Sequence, residues 1–292
     1  MPLWPKGYDE QLCTIAMEAG EAILRYWNGG QWSVTVKADE SPVTQADLAS
    51  QAVIVEGLKA IQPSAQIVGE ESDPNQLTID ESKGFWLVDP LDGTKEFIAG
   101  SEEFAVCMAW VVNGQAVWGL LHAPAKGQTI VGAAGLDGQW GAWMKEKGKE
   151  KGSEKANDQK QWQSIAVQPS TDRTIFLGSV RASSEQEQQL IAALQECRAG
   201  VQTQAMGSAL KFMELAQGNA HGYCRYGPTC LWDLAAGAAI VQGAGGWVSD
   251  WNGQPIRFSS NHSARNPSFV CVGDEQLRDE VLEVTRGIGG RV

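Results

Sequence analysis

The six cysteines (Cys13, Cys107, Cys197, Cys224, Cys230 and Cys271) are scattered, with no Cys-x-x-Cys spacing among them. A chain of this size does not need disulfides to fold, so reduced thiols are expected. Histidine is scarcer still. His122, His221 and His262 have neither metal nor triad spacing, and there is no Gly-x-Ser-x-Gly or Walker-type loop. Zinc hydrolases, serine hydrolases and nucleoside triphosphatases therefore have nothing to stand on. Positive charge is also short: 23 Lys and Arg face 35 Asp and Glu, a net charge of -12. That argues against a nucleic-acid polymer as partner, because such polymers are held by basic surfaces that release counterions. An acidic chain that handles small phosphates needs divalent cations to neutralise them. Finally, long apolar runs are missing. Phe104 to Val112 stops well short of the roughly 18–20 residues of a membrane span, and Met1-Pro2-Leu3-Trp4 lacks a basic stretch followed by an apolar one. The expectation is an unexported, cytoplasmic protein without a span.

What is present suits a globular fold, since 43% of the 292 residues are hydrophobic. One compositional break interrupts them at Lys145 to Gln161, where Lys and Glu interleave and their charges nearly cancel. It reads as an exposed loop between two strands and divides the chain into 1–144, 145–161 and 162–292. Leu12, Ile15, Ala16, Ala19, Ile23 and Trp27 recur every three to four residues and predict a first helix. Thr44, with Asp47 three residues on, caps a second that runs to Pro63. Ile67-Val68, Phe85–Val88, Phe104–Val112 and Ala116–Leu121 read as strands, and Asn113-Gly114 marks a hairpin between the last two. In the second half, Thr174–Val180, Ala220–Tyr226, Trp247–Ser249 and Phe269–Val272 look extended. Ser184–Cys197, Ser208–Gln217, Asp233–Ala244 and Glu275–Arg286 look helical. Strands and helices come in blocks, which predicts layered α+β sheets more than a doubly wound parallel one.

Three acidic features carry chemistry. After the apolar run Phe85–Val88 come Asp89 and Asp92, flanking Pro90 and followed by Gly93-Thr94. Pro90 keeps Asp89 extended, so that the two carboxylates converge and the Leu91 carbonyl joins them, a set of hard oxygens suited to magnesium. Gly93 allows close backbone approach, and a helix beginning near Thr94 would point its free N–H groups at a metal-bound phosphate. The same residues also suit an ordinary acidic turn. Gly69-Glu70-Glu71 follows the Ile67-Val68 strand and is either functional or merely solvated. Trp232-Asp233 opens the Ala-rich helix, where Asp233 is a metal ligand or a first-turn residue favoured by the helix dipole.

Taken in order, Ser41-Pro42-Val43-Thr44-Gln45-Ala46-Asp47, Gly69-Glu70-Glu71, Trp86 to Phe97 and Trp232-Asp233-Leu234-Ala235-Ala236-Gly237 resemble the inositol monophosphatase superfamily. The likeness runs from about Leu12 to Val272. Asp92-Gly93-Thr94-Lys95-Glu96-Phe97 and Gly227-Pro228-Thr229 are most similar to its 3′(2′),5′-bisphosphate nucleotidase branch. The resemblance implies an α/β/α/β/α sandwich with the active site at the junction of the two halves. It also implies a lithium-sensitive enzyme of sulfur metabolism that removes the 3′-phosphate of adenosine 3′,5′-bisphosphate. Carried over by position, Glu70, Asp89, the Leu91 carbonyl, Asp92 and Asp233 would bind two or three Mg2+. Asp47 and Thr94 would orient and deprotonate the attacking water, with Glu70 sharing that task. Asp92, Gly93, Thr94, Ser208, Lys211, Arg225 and Asp233 would line the substrate site. A homodimer is compatible with the family.

Arg225 is the informative residue for substrate choice. In the inositol-specific branch a glutamate near this point accepts hydrogen bonds from ring hydroxyls, whereas an arginine offers a donor fork that suits a second phosphate. Arg225 serves equally well as a structural ion-pair partner. The sequence departs from the nucleotidase pattern at Ser101-Glu102-Glu103-Phe104, in the long charged excursion from Lys145 and in its 12 tryptophans. Trp110, Trp118 or Trp140 would stack an adenine if not committed to the core. The competing functions are an inositol monophosphatase, a fructose-1,6-bisphosphatase or an inactive binding protein of the same fold. The last would have lost carboxylates that this chain keeps.

Overall fold

The stripe Leu12, Ala16, Ala19 and Ile23 is fully buried in the computed structural model. The structure describes residues 9–29, 33–36, 42–72, 79–136, 138–146, 162–180, 183–227, 229–259 and 265–289. This stripe belongs to α1 (Asp9–Gly29), which is followed by the short antiparallel pair β1 (Val34–Val36) and β2 (Pro42–Thr44), then α2 (Gln45–Ile61). Next come β3 (Ile67–Gly69), β4 (Phe85–Asp92), α3 (Thr94–Ile98), β5 (Ala105–Val112), β6 (Gln115–Ala123), β7 (Gln128–Leu136) and β8 (Gln139–Glu146). The second half begins with β9 (Gln163–Ile165), β10 (Thr174–Gly178), α4 (Glu185–Cys197), β11 (Val201–Ala205), α5 (Leu210–Ala216) and β12 (Gly222–Arg225). It ends with β13 (Thr229–Cys230), α6 (Leu231–Gly243), β14 (Trp247–Asp250), β15 (Arg265–Asn266), β16 (Phe269–Val272) and α7 (Glu275–Gly289).

Two sheets organise these elements: a seven-stranded one in the order β3-β4-β5-β6-β7-β8-β9 and a five-stranded one in the order β11-β10-β12-β16-β14. The first is antiparallel except for β3 beside β4, and the second is mixed. The central strands of each sheet are buried on both faces, so each sheet must be covered twice. The stripes of α1 and α2 pack with Trp86, Met108, Trp110 and Leu120 on one face of the large sheet. On its other face, α5 and α6 lie between the sheets, joining Leu87, Cys107 and Leu121 to Tyr223, Phe269 and Cys271. Outermost, α4 and α7 cover the small sheet through Leu190, Leu194, Leu277 and Val281. The result is the expected five-layered α/β/α/β/α sandwich. Asn113 and Gly114 have φ of 52° and 73°, as the tight hairpin between β5 and β6 requires.

The central helix comes unusually close to the large sheet. A Cβ at Gly119 would lie 2.2 Å from the Ala236 carbonyl oxygen, and one at Gly132 would lie 2.5 Å from the Ile240 Cα. The small residues that let α6 approach also hide β7 from sequence reading, because Gly and Ala are poor strand formers. Strand β11 was not anticipated either, and β8 and β9 were expected only as the two strands flanking the charged stretch, without bounds. Lys145 and Glu146 close β8, and the rest of the charged stretch, 147–161, lies outside the described residues. Beyond it, β9 pairs back onto β8.

The tryptophans need a correction. Trp110 and Trp118 are buried against Trp86, with ring centroids 5.1 and 5.8 Å from it, so they belong to the core and stack no base. Trp140, by contrast, is 63% exposed on β8.

Candidate metal and phosphate site

Strand β4 does not stop at Val88 as the sequence suggested. Asp89 still pairs with Cys107 and Asp92 with Ala105, with a register shift between them. Pro90 has no N–H to give a ladder, and a bulge absorbs it while re-aiming the flanking side chains. Three contacts fix the bulge. Ser50 of α2 donates to the Pro90 carbonyl at 2.7 Å, the Leu91 N–H donates to Asp89 Oδ1 at 2.9 Å, and the Thr94 hydroxyl donates to the Leu91 carbonyl at 3.1 Å. That carbonyl keeps a second lone pair for another partner. The turn falls at Gly93, whose φ of 95° starts α3. A Cβ there would sit 2.8 Å from the Glu103 carbonyl oxygen and 2.9 Å from the Ser208 Cβ, so glycine is required for space as well as conformation.

From α6, Asp233 joins the two β4 carboxylates: one oxygen from each of Asp89, Asp92 and Asp233 lies within 4.8 Å of the others. Asp233 is also the third residue of its helix and accepts the Cys230 N–H at 2.8 Å, so capping and clustering coexist in one side chain. Asp92 accepts the Ala209 N–H in a close contact. Burial, followed by the charges of Glu70, Asp92 and Asp233, holds the Asp89 carboxyl well above its ordinary range. Burial likewise pushes Asp92 up to about 6, against the opposing pull of Lys211. Asp233 rises to about 8, through burial and then the charge of Asp92. Glu70 stands outside the tightest group. Its backbone N–H donates to the Val88 carbonyl at 3.1 Å, and its charge helps to raise all three aspartates. Buried carboxylates that repel one another are costly without a cation, and an all-oxygen donor set of this kind fits a hard divalent ion.

Beside the cluster, Asp47 is 1% exposed and divides its oxygens between two tasks. Oδ2 accepts the Thr44 N–H and hydroxyl, both at 2.7 Å, which closes the capping box of α2. Oδ1 lies 3.1 Å from the Thr94 hydroxyl, whose single proton it shares with the Leu91 carbonyl. The cap and the Thr94 partnership are thus both present. Burial raises the Asp47 carboxyl, and these hydrogen bonds oppose the rise.

The opposite wall is the segment leading into α5. Ser208 has a left-handed φ of 52°, and its hydroxyl accepts the Leu210 N–H at 3.3 Å. The Lys211 ammonium is directed into this segment, donating to the Met206 carbonyl at 3.0 Å and the Ser208 carbonyl at 2.8 Å, 5.1 Å over the Tyr223 ring. Burial lowers its affinity for a proton, and Asp92 opposes that shift. Arg225 ends β12 and meets Glu187 Oε1 through Nε at 3.8 Å. Its charge also reaches Asp233 and Lys211. Sequence reasoning missed Ser50, Glu103 (whose Oε2 accepts the Gly207 N–H at 2.8 Å), the Ala209 N–H and Glu187. Only Glu187 had a readable signal, as the end of a Ser184-x-x-Glu187 capping box.

A five-layered sandwich with an acidic cluster between the bulged end of β4 and the first turn of α6 marks the class of protein to which the chain belongs. The chain belongs to the inositol monophosphatase family, whose model matches residues 5–287. It is 37% identical over 261 residues to the 3′(2′),5′-bisphosphate nucleotidase CysQ of Salmonella typhimurium, covering 89% of this chain and 97% of that protein. The 3′(2′),5′-bisphosphate nucleotidase CysQ of Escherichia coli K12 is 35% identical over the same coverage. The crystal structure of CysQ from Bacteroides thetaiotaomicron superposes with a TM-score of 0.72 at 28% identity, covering 91% of this chain and 97% of that one. No helix among the described residues is long and apolar enough to cross a membrane.

Proposed function

We propose that this protein is a magnesium-dependent 3′(2′),5′-bisphosphate nucleotidase that hydrolyses the 3′-phosphate of adenosine 3′,5′-bisphosphate to AMP and phosphate. The observation that carries the reading is the juxtaposition of a carboxylate cluster, with Asp89 buried and Asp92 and Asp233 half-buried, with a hydrogen-bonded Thr94–Asp47 pair. The nucleotidase relatives, matched over nearly their whole length, support the substrate class.

In this reading Asp89, Asp92, Asp233, Glu70 and the Leu91 carbonyl hold two or three Mg2+. When bound, the ions neutralise the phosphoryl oxygens, acidify a water and stabilise the departing oxygen. Thr94 orients the attacking water, and Asp47, buried and more basic than a surface carboxylate, takes its proton through the Thr94 hydroxyl. The water oxygen bonds to phosphorus, the P–O3′ bond breaks, and the ribose oxygen takes a proton from solvent water, while the proton held by Asp47 returns to solvent. Gly93 and the first N–H groups of α3 hold the scissile phosphate at the turn. Ser208 and Arg225 meet the rest of the nucleotide, and Lys211 holds their wall in place and offsets the charge of Asp92.

The test is phosphate release with magnesium from adenosine 3′,5′-bisphosphate, inositol 1-phosphate and fructose 1,6-bisphosphate, compared as kcat/KM. A preference of about tenfold for the nucleotide, some 1.4 kcal/mol of transition-state discrimination, is expected, with loss of turnover on chelation. A preference for inositol or fructose phosphate would sink the substrate assignment but spare the metal site. Turnover that survives chelation would sink both.

A further inference from the structure

Glu187 does more than a helix cap requires. As the third residue of α4 it completes a capping box, with its N–H donating to the Ser184 hydroxyl at 3.1 Å and its Oε2 accepting the Ser184 N–H at 3.1 Å. A cap uses only that oxygen. The other, Oε1, reaches across to a different element. It accepts the Tyr226 N–H at 2.8 Å and lies 3.8 Å from Arg225 Nε. Only 7% of Glu187 is exposed, and a buried carboxylate is tolerated when its oxygens are this fully paired.

The end of β12 is also fixed from two other sides. Trp251 Nε1 donates to the Arg225 carbonyl at 3.0 Å, and the Trp251 ring meets Tyr226 edge-on with centroids 4.9 Å apart. Arg225 pairs with Phe269 in the sheet. The backbone of Arg225 is therefore held, and what remains to be set is the aim of its guanidinium. Glu187 approaches Arg225 from the Nε side, so the Nη1–Nη2 edge is the one that a phosphate would meet. Direct charge contact between Glu187 and a phosphate would be repulsive, so Glu187 acts only through Arg225.

We propose that Glu187 is a positioning residue for substrate specificity: it aims the Arg225 guanidinium at a second, non-scissile phosphate. The inference rests on the nucleotidase reading and assigns the geometry that makes a bisphosphate preferable to a monophosphate. A buried cap residue on α4 is thereby tied to the choice of substrate.

The experiment compares adenosine 3′,5′-bisphosphate with adenosine 3′-monophosphate, which lacks the second phosphate, in wild type and the Glu187→Gln, Arg225→Ala and Ser184→Ala variants. Glutamine still serves a capping box with its one oxygen, so Glu187→Gln removes the charge, and the Tyr226 hydrogen bond with it, while sparing the helix start. KM for the bisphosphate should rise about tenfold in Glu187→Gln with kcat nearly unchanged, while the monophosphate stays within about twofold. The double variant with Arg225→Ala should be no worse than Arg225→Ala alone. Ser184→Ala, which breaks only the cap, should lower the melting temperature and leave the ratio of the two substrates alone. Equal losses on both substrates, no loss on either, or the same selectivity change in Ser184→Ala would each overturn the proposal. If Arg225→Ala loses selectivity and Glu187→Gln does not, only this inference fails. If wild type shows no preference for the bisphosphate, the nucleotidase reading falls and takes this inference with it. Should Glu187→Gln fail to fold, Glu187→Asp carries the same test, because it keeps the charge but shortens its reach to Arg225.

Discussion

The two walls of the acidic cleft are held by bonds of very different span. On the β4 side most links are local: Leu91 to Asp89 across two residues, Thr94 to Leu91 across three and Thr44 to Asp47 across three, with Ser50 to Pro90 across 40 and Thr94 to Asp47 across 47 as the exceptions. On the α5 side the links to other elements are remote: Gly207 to Glu103 across 104 residues, Ala209 to Asp92 across 117 and Tyr226 to Glu187 across 39, while Lys211 ties the segment locally to its own Met206 and Ser208 carbonyls. A wall tied by local bonds keeps its shape largely through its own sequence, so it suits the chemistry that a family shares. A wall assembled from distant elements can change with any of them, which suits the discrimination of substrates. The comparison predicts that damage to the first wall removes turnover, whereas damage to the second shifts preference.

The largest effect is expected from Asp89→Asn. It should lower kcat/KM about 10³-fold or more, some 4 kcal/mol of transition-state stabilisation, while the metal-free protein melts no lower than wild type. The amide removes a charge that burial and three neighbouring carboxylates disfavour, so the fold loses nothing by it. Activity within a few-fold of wild type would end the metal assignment. Next, Thr94→Val and Asp47→Asn should each lower kcat about 10²-fold with KM little changed, and the double variant should lose little more than either alone. Additive losses in that pair would show that the two residues do not work as a unit.

The local wall is the one that could be read from sequence. Asp89, Pro90, Asp92 and Gly93 announce a tight acidic turn, and Thr44 with Asp47 announces a cap, because each depends on neighbours only a few positions away. Even there, the bulge that carries β4 on to Asp92 was invisible, since it depends on the register of β5. The remote wall offered only residue types. Nothing near Ala209 signals that its N–H meets Asp92, and nothing near Lys211 signals that its ammonium points into the segment's own carbonyls. The helices α1, α2, α4 and α7 were legible from their apolar spacing or caps. Strand β7 was not, because Gly132 answers the approach of α6 and not a strand preference.

Gly93 is where the walls touch, and it separates the two kinds of control. Gly93→Ala forces a left-handed φ on a residue with a Cβ and drives that atom against the Glu103 backbone and the Ser208 side chain. Stability should fall by about 2–3 kcal/mol. In the fraction that remains folded, kcat/KM should fall about tenfold, because Ser208 must move away from the turn. Urea unfolding with a parallel activity assay checks both numbers. A loss of activity without a loss of stability would mean that the walls are not in fixed contact.

The smallest effect comes from the cluster's own repulsion, and it is read without substrate. Burial raises Asp233 to about 8 and Asp92 to about 6, and it raises Asp89 as well, whereas an unfolded chain ionises these groups near 4. Over the interval between those values the folded state binds more protons than the unfolded one, so stability falls as pH rises. The metal-free protein should therefore melt a few degrees lower at pH 8 than at pH 5.5. Added Mg2+ binds only the folded cluster and competes with those protons, so it should raise the melting temperature more at pH 8 than at pH 5.5. Asp233→Asn should flatten the metal-free slope, since it removes the group that titrates highest among those given a value. Arg225→Ala, on the remote wall, takes away a positive charge that lowers Asp233, and it should steepen the slope slightly. A metal-free melting curve that rises between pH 5.5 and 8 would mean that the carboxylates are already compensated within the fold, and the cluster would then have no electrostatic need of a cation.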